Sequence, residues 1–203
     1  MFLSQYLKGH LLHEGFIVKT FKGSNRECLK ASPLILEGFE IRTFRREDLD
    51  RVIEINTRCL PENYSTFFYL DLYNRFPKTF LVAVADDEIQ GYIMCRIERG
   101  LSKLRALRLT RLCHVVSIAV MEAYRRRGIA TALMLRAMRN AAVEYGATEC
   151  FLEVRVSNEP ALRLYSKLGF RKTRRIVGYY MDGEDAWEMA RPIFEEDLMK
   201  GLK

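Results

Sequence analysis

The stretch HVVSIAV (114–120), running through MEAYRRRG (121–128) into IATALMLRAMRNAAVEYG (129–146), decides how this chain folds. Its first seven residues read as a strand buried on both faces. Its last eighteen place Leu133, Ala137 and Ala141 on the inner side of a helix and stop at Gly146, the residue type that ends helices. Between them, Arg125-Arg126-Arg127-Gly128-Ile129-Ala130 joins a strand end directly to a helix start. Such a junction leaves the first backbone N–H groups of the helix unpaired, with the positive end of its dipole behind them, and so suits a phosphate group. Gly128 lets a ligand approach the backbone, and three arginines add charge. Neither the G-x-x-x-x-G-K-[ST] of a P-loop nor the G-x-G-x-x-G of a dinucleotide fold is present. Alone, R-x-x-G-x-A is equally well a solvated helix cap.

Working outward, ECFLEVRV (149–156) is a strand, Pro160–Leu168 is a short helix stopped at Gly169, and Phe170–Ile176 with Ala186–Ala190 close around the turn DGED (182–185). Upstream, FEIRTFR (39–45) is a strand, and Asp48 caps a helix carrying Leu49, Val52, Ile53 and Ile55. Leu60-Pro61 ends that helix, because proline and its predecessor resist the α-region. TFFYLDLY (66–73) is a second short helix; TFLVAVA (79–85) and QGYIMCRIE (90–98) form a hairpin across Asp86-Asp87-Glu88. Residues 99–111 hold Arg99, Lys103, Arg105, Arg108 and Arg111 without an acid, and are expected to be a basic loop.

Composition closes other doors. With 203 residues, 49% hydrophobic and 29% charged, the chain is expected to be one globular α/β domain over 39–193, with an N-terminal extension (1–38) and a tail (194–203). A net charge of +7 favours anionic partners. Five cysteines, widely spaced and without C-x-x-C, suggest neither a disulfide framework nor zinc, and fit a reducing cytoplasm. The N-terminal apolar run is broken by Lys8, His10 and His13, and no later stretch approaches the ~18 apolar residues of a membrane span.

Thirty residues beyond the arginine loop, Asn158-x-x-Ala161-x-x-x-Tyr165-x-x-x-Gly169-Phe170 follows the next strand. With R-x-x-G-x-A, this resembles the GCN5-related N-acetyltransferases over residues 39–193. LPENY (60–64), HVVSIAV (114–120), LEVRVSN (152–158) and GYYMDGEDAWEMARP (178–192) resemble, within that family, the archaeal catalytic subunits of N-terminal acetyltransferase A. The resemblance implies a mixed, mainly antiparallel sheet flanked by helices and splayed between 114–120 and 149–156, and acetyl-CoA as cofactor. It implies that backbone groups of Ile118, Ala119 and Val120 hold the acetyl-pantetheine arm. Arg125, Arg126, Arg127, Gly128, Ile129, Ala130 and Thr131 would wrap the pyrophosphate, and Asn158, Tyr165, Ser166 and Lys167 would line its other side. Glu62, Tyr64, Tyr179 and Tyr180 match positions around the acceptor's first residues, and His114 with Glu153 a polar pair near the amine.

Acetyl transfer needs a neutral amine, a polarised thioester and a proton for the departing thiolate. Glu62, or Glu153 and His114 through a water, would take the proton; Tyr165 would return one to sulfur. Two ligands do not make a metal site, so His114 and Glu153 imply no metal. The implied acceptors are protein N-termini beginning with Ser, Ala or Thr after methionine removal, together with Met-initiated ones. Competing readings are a lysine or small-amine acetyltransferase and a basic ribosome- or RNA-binding module using 99–111. No auxiliary subunit is evident from the sequence.

Overall fold

The apolar strand of the deciding stretch is the axis of an eight-stranded sheet in the computed structural model, which describes residues 34–36 and 38–194. This strand, β5 (Leu109–Val120), pairs antiparallel with β4 (Glu88–Leu101); β3 (Phe80–Ala85), β2 (Phe39–Thr43) and β1 (Leu34–Leu36) continue outward on that side. On its other side lie β6 (Glu149–Arg155), β8 (Ala186–Pro192) and, at the edge, β7 (Arg171–Ile176). Among the described residues, only β5 and β6 run parallel. A parallel pair requires a crossover, and α3 (Ile129–Tyr145) supplies it.

The β5–β6 ladder holds only over Leu112↔Glu149, Cys113↔Cys150 and His114↔Phe151. Beyond His114 the two strands part, as the family resemblance implies. A bulge marks the divergence: pairing to β4 passes from Met94↔Ser117 to Cys95↔Val115, making Val116 the extra residue. Gly91 lets β5 come this close, because a Cβ there would sit 2.9 Å from the Ala119 carbonyl oxygen.

Strand alternation builds two cores. Leu81, Ile93, Cys95 and Cys113 meet Leu133, Ala137 and Ala141 of α3 and Leu162 and Tyr165 of α4 (Glu159–Lys167). Val82, Tyr92 and Met94 point the other way, onto Val52 and Ile55 of α1 (Leu49–Cys59) and Tyr69 and Leu72 of α2 (Thr66–Arg75). Each fully buried Leu, Ile or Val contributes about 1.5–3 kcal/mol.

Three local readings are revised. The stretch 99–111 is not a loop throughout: Arg99↔Arg111, Gly100↔Thr110 and Leu101↔Leu109 pair as strand, and only residues 102–108 turn. Its charges reported exposure, which is compatible with a ladder. Its turn is pinned where the Ser102 hydroxyl and the Lys103 amide donate to Glu149, at 2.6 and 2.9 Å. Asp48 precedes α1 without a side-chain cap bond to it. Its carboxylate instead accepts from the Arg45 amide at 2.7 Å and pairs with Arg42 at 2.6 Å. Finally, β1 lies inside the stretch read as an extension and pairs with β2. Residues 1–33, 37 and 195–203 lie outside the described residues.

Candidate active site

The open edge of β5 is a row of backbone groups with defined directions. The Met121 amide donates to the Gln90 carbonyl, so alternation turns Ala119 and Ser117 toward β4, and Ile118 and Val120 toward the opening. Tyr64 donates to the Val116 carbonyl at 3.2 Å, and Arg125 Nε to that of Val120 at 3.1 Å. Ile118 faces the opening between those two occupied carbonyls.

The arginine loop follows. Arg126 and Gly128 take positive φ values of 65° and 86°, which bend the chain so that α3 starts at Ile129. Nothing lies within 4 Å of a Cβ built at Gly128, so the dihedral, rather than crowding, selects glycine. The first helical amides, Ile129, Ala130 and Thr131, have no carbonyl one turn behind them within the helix and point out of its start. Arg127 lies 4.8 Å over the Tyr124 ring. On α4, the Asn158 side chain accepts from the Ala161 amide at 3.2 Å and caps the helix, while Ser166 and Lys167 are exposed. Tyr165 instead turns into the α3–α4 core, where burial, with a smaller contribution from Cys150, raises its pKa and keeps the phenol protonated. Unpaired amides at a strand edge and a helix start, backed by arginines, fit an amide-bearing arm that ends in a pyrophosphate.

The acceptor side is built on the other face. Phe151, Glu153 and Arg155 alternate along β6 and share it. His114 Nε2 and Glu153 Oε2 are 2.7 Å apart, with side chains 11% and 12% exposed. The His114 ring stacks on Phe151 with centroids 4.3 Å apart, and its Nδ1 is buried without a partner among the described residues. Arg155 is a hub: Nη2 and Nε reach Glu62 Oε1 at 2.6 and 3.1 Å, and Nη1 reaches Asp182 at 2.7 Å and Glu184 at 2.8 Å. Its guanidinium also lies 4.0 Å over the Tyr180 ring. The loop bearing Glu62 and Tyr64 is thereby fastened to the segment bearing Tyr179 and Tyr180. Tyr179 meets Tyr180 edge-on at 5.0 Å, and Tyr64 stacks on Phe68 at 4.9 Å.

The three tyrosines report the same cluster electrostatically. Burial first, then the carboxylates of Glu62 and Glu153, raise the pKa of Tyr64. Burial and Glu153 push Tyr179 up to about 12, and burial and Glu62 raise Tyr180. All three stay neutral at working pH. The structure thus gathers Glu62, Tyr64, His114, Glu153, Tyr179 and Tyr180 on one face and packs Tyr165 on the other. Sequence reasoning missed Arg155, Asp182 and Glu184. The signal for Arg155 was its place two residues after Glu153, hence on the same face.

Among the described residues, no group of three or more His, Cys, Asp or Glu could hold a metal, and no helix is long and apolar enough to cross a membrane.

Comparison with known proteins agrees with this fold. Residues 49–170 match the acetyltransferase (GNAT) family. The chain is 49% identical over 156 residues to an N-alpha-acetyltransferase of Saccharolobus solfataricus, covering 76% of this chain and 93% of that protein. Ard1 from Thermoplasma volcanium superposes with a TM-score of 0.67 at 30% identity, covering 78% of this chain and 99% of that one. A chain of the NatC complex bound to Gag peptide and CoA gives 0.67 at 26% identity, covering 77% and 99%.

Proposed function

The chain belongs to the acetyltransferase (GNAT) family and is an acetyl-CoA-dependent N-terminal acetyltransferase, and we propose that its acceptors begin with Ser, Ala or Thr exposed by methionine removal, with Met-initiated termini a second class. The observation that carries this reading is the His114–Glu153 pair, set beside Tyr64, Tyr179 and Tyr180 where β5 and β6 part.

Bound acetyl-CoA supplies the activated acetyl thioester. Ile118 and Val120 on the strand edge, with Arg125 through Thr131, Asn158, Ser166 and Lys167, are the groups suited to hold it. An α-amine with pKa about 7.7–8.0 is neutral in roughly one molecule in ten at pH 7, against roughly one in 2,500 for lysine, so a weak base suffices for a chain terminus. His114 and Glu153 accept that proton. Glu62 is tied to Arg155 and positions the acceptor; Tyr64, Tyr179 and Tyr180 enclose its first side chain. Tyr165 stays protonated at working pH, and the family resemblance assigns it the return of a proton to the departing sulfur. We place the reaction in the cytoplasm, where the buried thiols of Cys95, Cys113 and Cys150 persist.

Incubating the purified chain with acetyl-CoA and peptides starting Ser, Ala, Met-Glu or Met-Leu, plus an N-blocked peptide with a free lysine, tests the reading. Product mass should show acetyl only on free N-termini, without an added subunit; acetylation confined to lysine would refute it. The exposed Arg105 and Arg108 on the hairpin turn support ribosome docking as an accessory property. Neutralising both should weaken co-sedimentation with ribosomes and flatten its salt dependence; unchanged binding would exclude that surface.

A further inference from the structure

Two largely buried carboxylates face each other across the β6–β8 ladder, because Glu153 and Glu188 are register partners. Their side chains are 12% and 4% exposed. Like charges at paired positions on one sheltered face repel, and cations beside them relieve the repulsion. Compensation here is divided. Glu153 has His114. Glu188 accepts from Lys103 Nζ at 2.8 Å, Thr173 Oγ1 at 2.8 Å and Arg174 Nη2 at 3.1 Å. Burial works to raise the Glu188 pKa, but the hydrogen bonds from Lys103 and Thr173 and the charges of Lys103 and Arg174 outweigh it and hold Glu188 below the usual carboxylate range.

Of the two cations, Arg174 is 62% exposed and screened by water, whereas Lys103 is 24% exposed. Lys103 comes from the far end of the β4–β5 hairpin, whose turn is anchored on Glu149. Its ammonium also lies 4.5 Å over the Phe151 ring, the ring on which His114 stacks. Lys103 therefore touches both supports of the acceptor-side pair: the carboxylate facing Glu153 and the aromatic under His114.

We propose that Lys103 is a positioning residue for acetyl transfer, keeping Glu188 ionised and paired so that His114 and Glu153 alone handle the acceptor's proton. This rests on the functional reading above. The other groups facing the cluster are Arg96 from β4, Glu149 and Arg155 from β6, Thr173 and Arg174 from β7, Tyr179 and Tyr180 from the segment before β8, and Glu62 and Tyr64 from the loop after α1. With the tyrosines neutral and Arg155 occupied by Glu62, Asp182 and Glu184, Lys103 is the more sheltered of the two cations on Glu188. Loss of the Lys103 charge leaves the carboxylate beside Glu153 without its most sheltered cation, which favours protonation within this cluster.

The test compares full-length wild type, Lys103→Met and Lys103→Arg in two measurements. One is kcat/KM against pH with a Ser-starting peptide; the other is the NMR titration of the His114 imidazole without ligand, assigned with His114→Asn. In Lys103→Met, the acid limb and the imidazole midpoint should both move up by about half a pH unit or more, a threefold change in proton affinity. Lys103→Arg should return both toward wild type. If the Met variant does not fold, Lys103→Gln, which keeps a hydrogen bond without the charge, takes its place. A lowered melting temperature with both midpoints unmoved would make Lys103 a hairpin anchor only and overturn the inference. The imidazole titration needs no turnover. Failure of the acceptor reading would show as wild type not acetylating N-termini, and failure of this inference as an unmoved imidazole midpoint.

Discussion

At the scale of single residues, Arg155 organises the acceptor side. Its planar fork serves three carboxylates and an aromatic face together, which a point charge cannot do. Replacing it with methionine should lower kcat/KM for peptides by about 10- to 100-fold, roughly 1.4–2.7 kcal/mol of transition-state stabilisation. Peptide KM should rise more than kcat falls, and the KM for acetyl-CoA should stay put. Arg155→Lys should recover only part of the loss; steady-state kinetics with each substrate varied checks both. Glu153 was visible in the sequence because a charge between Leu152 and Val154 on a central strand demands a partner. Arg155 was not, because its partners Glu62, Asp182 and Glu184 lie 93, 27 and 29 positions away and only the fold brings them in.

At the scale of elements, β5 carries the decision. Its apolar sequence and the arginine loop behind it were enough to foresee a buried strand and an abrupt helix start; the opening toward β6 was implied only by the family resemblance. The bulge at Val116 was not legible, since it arises from the register against β4 and leaves no mark on residue type. The paired arms of the 99–111 hairpin were missed for a different reason: each arm sets an arginine and a leucine two residues apart on one face of a solvent-exposed strand, where burial imposes no pattern. Gly91→Ala tests the close approach of β4 to β5. Its Cβ would meet the backbone oxygen of Ala119 at 2.9 Å and Val120 Cγ2 at 3.1 Å, and backbone cannot step aside cheaply. The variant should lose about 1–3 kcal/mol of stability. It should also bind acetyl-CoA more weakly, because the displaced strand offers the cofactor edge. Thermal unfolding and the KM for acetyl-CoA give the two readouts.

At the scale of the whole molecule, carboxylates held below their usual range gather at one margin of the sheet, with Glu54 on α1, paired to Arg51, the exception. Backbone amides and Arg155 hold Asp182 below the usual carboxylate range; Ser157 and Arg155 do so for Glu184, and the Gly178 amide and Arg175 for Asp185. With Glu188, these depressed groups all lie within or beside β8. A carboxylate whose folded pKa is depressed stabilises the fold above its unfolded value, near 3.9–4.3, and loses that contribution as pH falls through the folded value. The melting temperature should therefore be level above about pH 5 and fall below about pH 4. Amides of β7 and β8 should lose hydrogen-exchange protection before those of β2 to β4; uniform loss across the sheet would contradict this.

The short parallel ladder has a mechanical consequence. Five strands on one side and three on the other are sewn together along three rows, like two stiff leaves on a short spine. Whatever grips both margins of the opening acts as a splint. The substrate that arrives first removes freedom the second would otherwise have to remove, so each tightens the other's binding without any change of shape.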